Sequence, residues 1–190
     1  MNQSNHTNHY ENCHEAILLM DLQPRLLSTI PNSSSLLTAN CILAQASSVL
    51  GTPIIFTEQV PGKLGKTNSC LTEKLNDYKI ITKDSFSAFG SLDFCELMSS
   101  LKIQKLVVSG IETSICVFLT VMDALKQGLD VSVISDCVAS RRKEDGDLAL
   151  SQIQHLGVKV IPLETFLFGK LKASSHSSFQ EISRMIKSRS

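Results

Sequence analysis

The sequence predicts an α/β fold of three layers (α/β/α), in which helices cover both faces of a parallel sheet. Short apolar runs that suit strands alternate about six times with longer stretches that suit helices. The first run, residues 16–20, is apolar at every position, which is typical of a central parallel strand because both of its faces are buried. A length of 190 residues fits one domain with a sizeable core.

Polar turns, several of them with Gly or Pro, separate the predicted elements. Residues 58–68 are predicted to form a polar loop. Residues 1–15 are rich in Asn and His and are predicted to be a disordered tail, so the domain spans residues 16–190. The predicted strands are residues 16–20, 54–57, 79–82, 106–109, 131–134 and 158–161. The predicted helices are residues 32–50, 91–101, 116–125, 140–156, 165–171 and 178–186.

The charge and the cysteine usage limit the class of partner. Basic and acidic residues balance, so the formal net charge is zero and no basic surface is expected to bind nucleic acid. No apolar run approaches the roughly 20 residues of a membrane span. The six cysteines contain no C-x-x-C pair and are too sparse for a secreted disulfide scaffold. We therefore expect reduced thiols, a cytoplasmic location, and no nucleic-acid or membrane partner.

The sequence gives no support for a metal or an organic cofactor. His6, His9 and His14 lie in the predicted tail, where a solvated segment or loose metal binding would explain them, and no zinc pattern falls on an ordered element. Residues 65–67, Gly-Lys-Thr, resemble the end of a phosphate-binding loop, but Val60 stands where that motif requires glycine. The dinucleotide motif G-x-G-x-x-G does not occur. We expect neither metal nor cofactor.

Three chemically capable side chains follow predicted strands. Asp21 follows the first strand, Lys83 the third, and Cys116 the turn after the fourth. Because the carboxyl ends of parallel strands lie at one edge of the sheet, we expect the three to meet in one crevice. Cys116 would be the nucleophile, Asp21 its proton acceptor, and Lys83 the cation that holds both in their charged forms. Each residue alone also fits a plainer role, as a core cysteine or a turn aspartate.

Cys116 is predicted to lie in the first turn of a helix that Ser114 caps. The positive end of the helix dipole favours a thiolate over a thiol. The helix end and the positive charge of Lys83 together predict that Cys116 has the lowest pKa of the six cysteines. Amides in the same turn would also bind an oxyanion.

These residues together resemble the isochorismatase-like cysteine hydrolases, from about residue 16 to residue 187. Residues 57–59, 140–141 and 164–168 make the chain most similar to the isochorismatase-domain-containing branch. The matching residues are segments 20–23, 57–59, 86–89, 110–113, 140–141 and 164–168, with Lys83, Cys116 and Asp136.

The resemblance implies a six-stranded parallel sheet in an open, Rossmann-like arrangement. It implies a catalytic triad of Asp21, Lys83 and Cys116. It also implies a cis peptide between Ile111 and Glu112, with the amides of Glu112 and Cys116 forming an oxyanion hole.

The resemblance further implies a small-molecule substrate, for which we take Gln23, Phe86 and Phe89 as expected contacts, and we expect a homo-oligomer. The chain departs from the family pattern at two points, which disfavour a nicotinamidase and the vinyl-ether cleavage of isochorismate. Nicotinamidases carry an Asp-x-His-x-x-His metal site after the second strand, whereas residues 58–63 contain no histidine. True isochorismatases lack the cysteine, whereas Cys116 is present here.

Three hypotheses follow. The first is a cysteine hydrolase of a small amide or related carbonyl compound, which acts through a covalent thioester. The second is a related hydrolase that does not use Cys116. The third is a binding protein that retains the fold without catalysis; an Asp and a Lys beside a thiol are unnecessary for that role.

Overall fold

The computed structural model of the protein describes residues 14–189. Its centre is a parallel sheet of six strands in the order β3-β2-β1-β4-β5-β6. The strands are β1 Glu15–Met20, β2 Ile54–Gln59, β3 Lys79–Lys83, β4 Lys105–Ile111, β5 Asp130–Ala139 and β6 Lys159–Ile161. The predicted α/β class and the six parallel strands are confirmed.

Helices lie on both faces of the sheet and connect its strands. The helices are α1 Pro24–Leu27, α2 Ser33–Val49, α3 Pro61–Leu64, α4 Leu92–Ser100, α5 Phe118–Lys126, α6 Lys143–His155, α7 Leu163–Leu171 and α8 Phe179–Lys187. A π-helical turn, Thr113–Val117, precedes α5. No helix of residues 14–189 is both long and apolar enough to cross a membrane.

The core has two layers, one on each face of the sheet, because successive side chains of a strand point to opposite faces. In β1, Ile17 and Leu19 pack with α2, α7 and α8, whereas Ala16, Leu18 and Met20 pack with α4, α5 and α6. All five side chains are fully buried. The wholly apolar sequence of β1 is therefore the direct consequence of its central position between two helical layers.

The strand order reverses between β1 and β4, which are neighbours in the sheet but not in the chain. Open α/β sheets bind ligands in the crevice outside the carboxyl ends of the strands at such a reversal. The residues that follow β1 and β4 here are Asp21 and the turn that leads to Cys116.

The predicted elements are all present, with differences at their ends. β1 begins at Glu15, one residue before the predicted start. Of the rest of the predicted tail, the structure describes His14, and residues 1–13 lie outside the described residues. The predicted polar loop is partly wrong, since β2 continues to Gln59 and Pro61–Leu64 forms a helical turn. β5 also continues past its predicted end at residue 134, to Ala139, because it pairs with β4 again beyond a bulge.

Candidate active site

Asp21 is held rigidly at the end of β1. Its backbone adopts a left-handed conformation, with φ of 55°, and its side chain is fully buried. The Thr57 hydroxyl donates to Oδ1 at 2.7 Å, and the Lys83 ammonium donates to Oδ2 at 2.8 Å. Both carboxylate oxygens therefore have a donor, which is how a buried carboxylate is kept charged.

Lys83 is the last residue of β3, and its side chain has no exposed surface. Besides Asp21, the ammonium donates to the side-chain oxygen of Gln59 at 2.6 Å. The carbonyls of Ser85 and Phe86 lie at 3.2 and 3.3 Å. The acceptors surround the cation, so its burial is compensated by an ion pair and by hydrogen bonds.

Cys116 lies in the π-helical turn and faces both charged residues. Its sulfur is 3.8 Å from the Lys83 ammonium, which also holds the Asp21 carboxylate, and the charge of Asp21 is near enough to raise the pKa of the thiol. The backbone of Glu112 is close enough to lower the pKa of this thiol. The structure thus brings together the three residues that the sequence placed in one crevice.

The pKa of the Cys116 thiol is raised and not lowered, so the expectation that the helix end and Lys83 favour its thiolate is wrong. Burial and, after it, the negative charge of Asp21 raise its pKa to about 12, although Lys83 lowers it. Only 8% of Cys116 is exposed, so the loss of solvent outweighs the nearby cation. The resting group is a neutral thiol next to a carboxylate that is able to accept its proton.

The turn before Cys116 also differs from a simple capped helix. The helical turn begins at Thr113, so Ser114 lies inside it and does not cap it. The hydroxyls of Ser114 and Ser140 lie 3.3 Å apart, and the Ser114 N–H donates to the Ser140 hydroxyl at 3.2 Å. The peptide bond between Ile111 and Glu112 is cis, as the family resemblance implied.

Gly110 allows the turn to lie against β1. Its φ is +104°, and a Cβ atom at this position would stand 2.1 Å from the carbonyl oxygen of Met20. Any side chain here would therefore push β4 away from the strand that carries Asp21.

The three residues expected to contact substrate occupy different surroundings. Gln23 is fully buried, and its amide bonds to the backbone of Gln59 and Gly65. These contacts connect the segment after β1 to the segment after β2. Phe86 is 59% exposed, and the half-buried Phe89 packs edge-on against Phe94, with ring centroids 5.1 Å apart. The role of all three in substrate binding stays a prediction.

Two residues of the site were not assigned a role from the sequence, Thr57 and Gln59. Both belong to the Thr-Glu-Gln segment at the end of β2, which lies beside β1 in the sheet. Thr57 bonds to Asp21, and Gln59 bonds both to Lys83 and, through its amide nitrogen, to the carbonyl of Asp84 at 2.8 Å. The available signal was their position: polar residues at the carboxyl end of a strand next to β1.

Two open cavities flank these residues. One, of about 550 Å³, lies between the π-helical turn and α6, with Glu112, Ile115, Phe118 and Arg141 in its wall. The other, of about 360 Å³, includes Lys83 in its wall. The Glu112 carboxylate pairs with Arg141 at 2.8 Å at the border of the larger cavity. Neither cavity includes Cys116 in its wall, and the residue is buried.

Metal ligands are not grouped in the part of the chain that the structure describes: no set of three or more His, Cys, Asp or Glu side chains there is arranged to hold an ion. His14, the one histidine of the predicted tail within the described residues, lies with its ring nitrogen 3.2 Å from the carbonyl of Lys102.

The fold is an open α/β sheet of six parallel strands that carries an Asp, a Lys and a Cys at its carboxyl edge. A family model, the isochorismatase domain, matches residues 15–165. The chain belongs to the isochorismatase family. It is 32% identical over 171 residues to isochorismatase domain-containing protein 2 of Danio rerio. The matched region covers 90% of this chain and 85% of the relative.

Solved structures are similar over nearly the whole chain. A structure described as the MAR1 ribonuclease of Caenorhabditis elegans superimposes with a TM-score of 0.86 at 32% identity, covering 91% of this chain and 89% of that one. The YcaC gene product of Escherichia coli, described as an octameric hydrolase of unknown specificity, superimposes with a TM-score of 0.74 at 18% identity, with 92% of each chain covered. At that identity the likeness shows the fold alone.

Proposed function

We propose that the protein is a cysteine hydrolase that cleaves a small amide or a related carbonyl compound through a thioester on Cys116. The family is generally one of hydrolases, which supports the reaction class. The observation that carries the proposal is that the buried Lys83 ammonium contacts both the buried Asp21 carboxylate, at 2.8 Å, and the Cys116 sulfur, at 3.8 Å. A nucleophile beside its base, with the base held by further donors, is the arrangement that covalent catalysis requires.

The first half-reaction begins with a proton transfer. Asp21 takes the proton of the Cys116 thiol, and the sulfur attacks the carbonyl carbon of the substrate. Negative charge then develops on the carbonyl oxygen, where the amides of Glu112 and Cys116 are proposed to bind it. Asp21 returns its proton to the leaving nitrogen, the C–N bond breaks, and the acyl group remains on sulfur as a thioester.

The second half-reaction regenerates the thiol. Asp21, again a carboxylate, takes a proton from water as the water oxygen attacks the thioester carbon. The C–S bond breaks, the thiolate recovers the proton from Asp21, and a carboxylic acid is released. Lys83 lies 2.8 Å from Asp21 and 3.8 Å from the sulfur, so it stabilises whichever of the two carries the negative charge.

A screen of small amides and carbamoyl compounds tests the activity. Wild type is expected to hydrolyse at least one compound, with an acyl group detected on the tryptic peptide 106–126, in which Cys116 is the only cysteine. Cys116→Ala is expected to abolish both, and Cys95→Ser, as a matched control on a half-buried thiol, to retain both. Hydrolysis that survives in Cys116→Ala would favour the hydrolase that does not use the cysteine.

The same screen distinguishes an enzyme from a binding protein. Saturable binding of a screened compound without turnover would favour a binding protein. Because the C. elegans relative is described as a ribonuclease, single-stranded RNA belongs in the screen. RNA cleavage that persists in Cys116→Ala would contradict the proposed chemistry.

Assembly into a homo-oligomer is part of the proposal. Large apolar side chains are exposed on one chain, including Leu92 at 79% and Leu148 at 62%. The E. coli neighbour is described as octameric, which supports an assembly of copies as the partner that covers them. Light scattering after size-exclusion chromatography is expected to give a mass above that of one 20.8 kDa chain. We also propose that the protein is cytoplasmic, as its reduced thiols led us to expect.

A further inference from the structure

Two cysteines outside the proposed active site lie against each other. Cys41 is in the middle of α2, and Cys70 is the central residue of a 3₁₀ turn, Ser69–Leu71. Their sulfur atoms are 3.5 Å apart, and the Cys41 thiol also lies 3.3 Å from the carbonyl oxygen of Cys70. A disulfide has an S–S distance of about 2.05 Å, so closing the pair requires a movement of roughly 1.5 Å, within reach of side-chain rotation.

The surroundings of the pair are suited to a reaction with a small oxidant. Both residues are half-buried at the border of the core layer on the α2 face of the sheet. They are thus accessible to a molecule of the size of a peroxide, whereas Cys137 is fully buried. α2 packs against the 3₁₀ turn, so folding holds the two sulfurs together.

We propose that Cys41 and Cys70 form a reversible redox pair, which hydrogen peroxide closes to an intramolecular disulfide and a thiol reductant reopens. The proposal does not depend on the proposed hydrolase activity. It also agrees with expected reduced thiols at rest, since disulfides of reducing compartments are typically transient.

The geometry assigns different roles to the two sulfurs. Cys41 donates its S–H to the Cys70 sulfur, and burial, followed by this hydrogen bond, raises the pKa of Cys41 to about 12. Cys41 thus holds its proton tightly, and we assign the first attack on the oxidant to Cys70. Lys74 lowers the pKa of Cys41 and Glu73 raises it, so charges of both signs lie near the pair.

The reaction balances with one peroxide. The Cys70 thiol gives up its proton as its sulfur attacks a peroxide oxygen, the O–O bond breaks, and the hydroxide that leaves takes up that proton as water, so that Cys70 becomes a sulfenic acid. Cys41 then loses its proton, and its sulfur attacks the Cys70 sulfur. The S–S bond forms while hydroxide leaves with that proton as a second water. Two thiols are oxidised by two electrons, and hydrogen peroxide is reduced to two waters.

Closure would fix α2 to a segment that supports the active site. The N–H of Asn68, two residues before Cys70, donates to the carbonyl of Leu22 at 2.9 Å, next to Asp21. The carbonyl of Gly65 in the same segment accepts from Gln23. A disulfide at Cys70 therefore restrains the chain that packs behind the proposed base.

Peptide mapping of the full chain tests the pair. After brief treatment with peroxide, alkylation of free thiols and digestion with trypsin, peptides 26–63 and 67–74 are expected to be joined, because each contains one cysteine. Dithiothreitol is expected to separate them again. Cys41→Ser and Cys70→Ser should each abolish the joined peptide, and Cys95→Ser should not.

Three results would overturn the proposal. The first is a disulfide between other cysteines in place of this one. The second is sulfinic acid on Cys70 with Cys41 left as a free thiol. The third is a Tm that does not rise on cross-linking. The bond closes a loop of about 30 residues, so the cross-linked wild type should melt roughly 5–10 °C higher than the reduced protein. A Tm that stays the same or falls would mean that the bond does not fit the folded chain.

Discussion

Lys83 and Asp21 form an ion pair in which neither side chain has any exposed surface. The pair joins the end of an outer strand, β3, to the end of the central strand β1. Its positive member is closer to the carboxylate than to the sulfur of Cys116, at 2.8 against 3.8 Å. Lys83 thus holds the carboxylate more closely than the thiol, which keeps its proton because its pKa is raised.

The first prediction concerns the pH dependence of Cys116. Because its pKa is raised to about 12, the thiolate fraction is small at neutral pH and increases about ten-fold with each pH unit. The rate of iodoacetamide labelling is expected to keep rising through about pH 10 in the folded protein. Mass spectrometry of peptide 106–126 measures it.

The unfolded chain is the control for this profile. In urea the thiol regains an ordinary pKa of about 8.5, so its labelling rate reaches a plateau near pH 9.5. Slow access to a buried sulfur lowers the rate at every pH but leaves the shape of the profile unchanged. A plateau below pH 8 in the folded protein would mean that Cys116 is a thiolate at rest, contrary to this prediction.

The second prediction concerns Lys83→Met. The substitution keeps the length of the side chain but leaves the Asp21 carboxylate buried without its cation. We expect the free energy of unfolding to fall by about 3–5 kcal/mol, measured from urea unfolding. The pKa of Cys116 should also rise further, since Lys83 is the charge that lowers it.

Lys126→Met is the matched control, because Lys126 pairs with Asp123 on the surface and is 71% exposed. Its effect should remain within about 0.5 kcal/mol. Adding Asp21→Asn to Lys83→Met should recover part of the lost stability, because no unpaired charge then remains buried. A double variant that is less stable than both single variants would contradict this account.

The third prediction concerns Gln59, whose side-chain oxygen lies 2.6 Å from the Lys83 ammonium. Gln59→Leu removes an acceptor from a buried cation. The expected cost is about 1.5–3 kcal/mol in the free energy of unfolding, as for other hydrogen bonds to charged groups. Gln154→Leu, on the exposed face of α6, is the comparison and should change stability little. Equal losses of stability from the two substitutions would mean that the Gln59 side chain does not stabilise the buried Lys83 ammonium.

The fourth prediction concerns Gly110→Ala. The new methyl group would meet the backbone of Met20 at 2.1–2.8 Å, and the φ of +104° is strained for alanine. Since backbone atoms on both strands would have to move, the loss should exceed about 4 kcal/mol or prevent folding. Gly62→Ala is the control, because its Cβ meets nothing within 4 Å. Circular dichroism and urea unfolding distinguish the two.

The sequence predicted the fold well because each central strand is a continuous apolar run. Residues 16–20 show no alternation, and the fold explains this by the helical layers on both sides of β1. The meeting of Asp21, Lys83 and Cys116 followed from the rule that parallel strands end at one edge. Strand ends, by contrast, depend on pairing with neighbours, which is why the continuation of β5 beyond its bulge was missed.

The chemistry of the thiol was less predictable, because a pKa depends on burial that a local pattern does not reveal. The helix terminus and Lys83 both favour a thiolate, but the depth of Cys116 and the carboxylate of Asp21 oppose them and prevail. Thr57 and Gln59 were overlooked for a similar reason. Their value comes from the pairing of β2 with β1 and β3, which only the assembled sheet shows.

The edge position of β3 has a consequence for how the protein loses function. This strand has a single hydrogen-bonded neighbour, β2, and four of its five residues are not fully buried. Edge segments open by local fluctuations that cost less than global unfolding, so their amides exchange with deuterium sooner than those of central strands. Each such opening withdraws Lys83 while β1 and β4 stay intact. In mild denaturant the protein should therefore become inactive while it still gives the spectrum of a folded sheet.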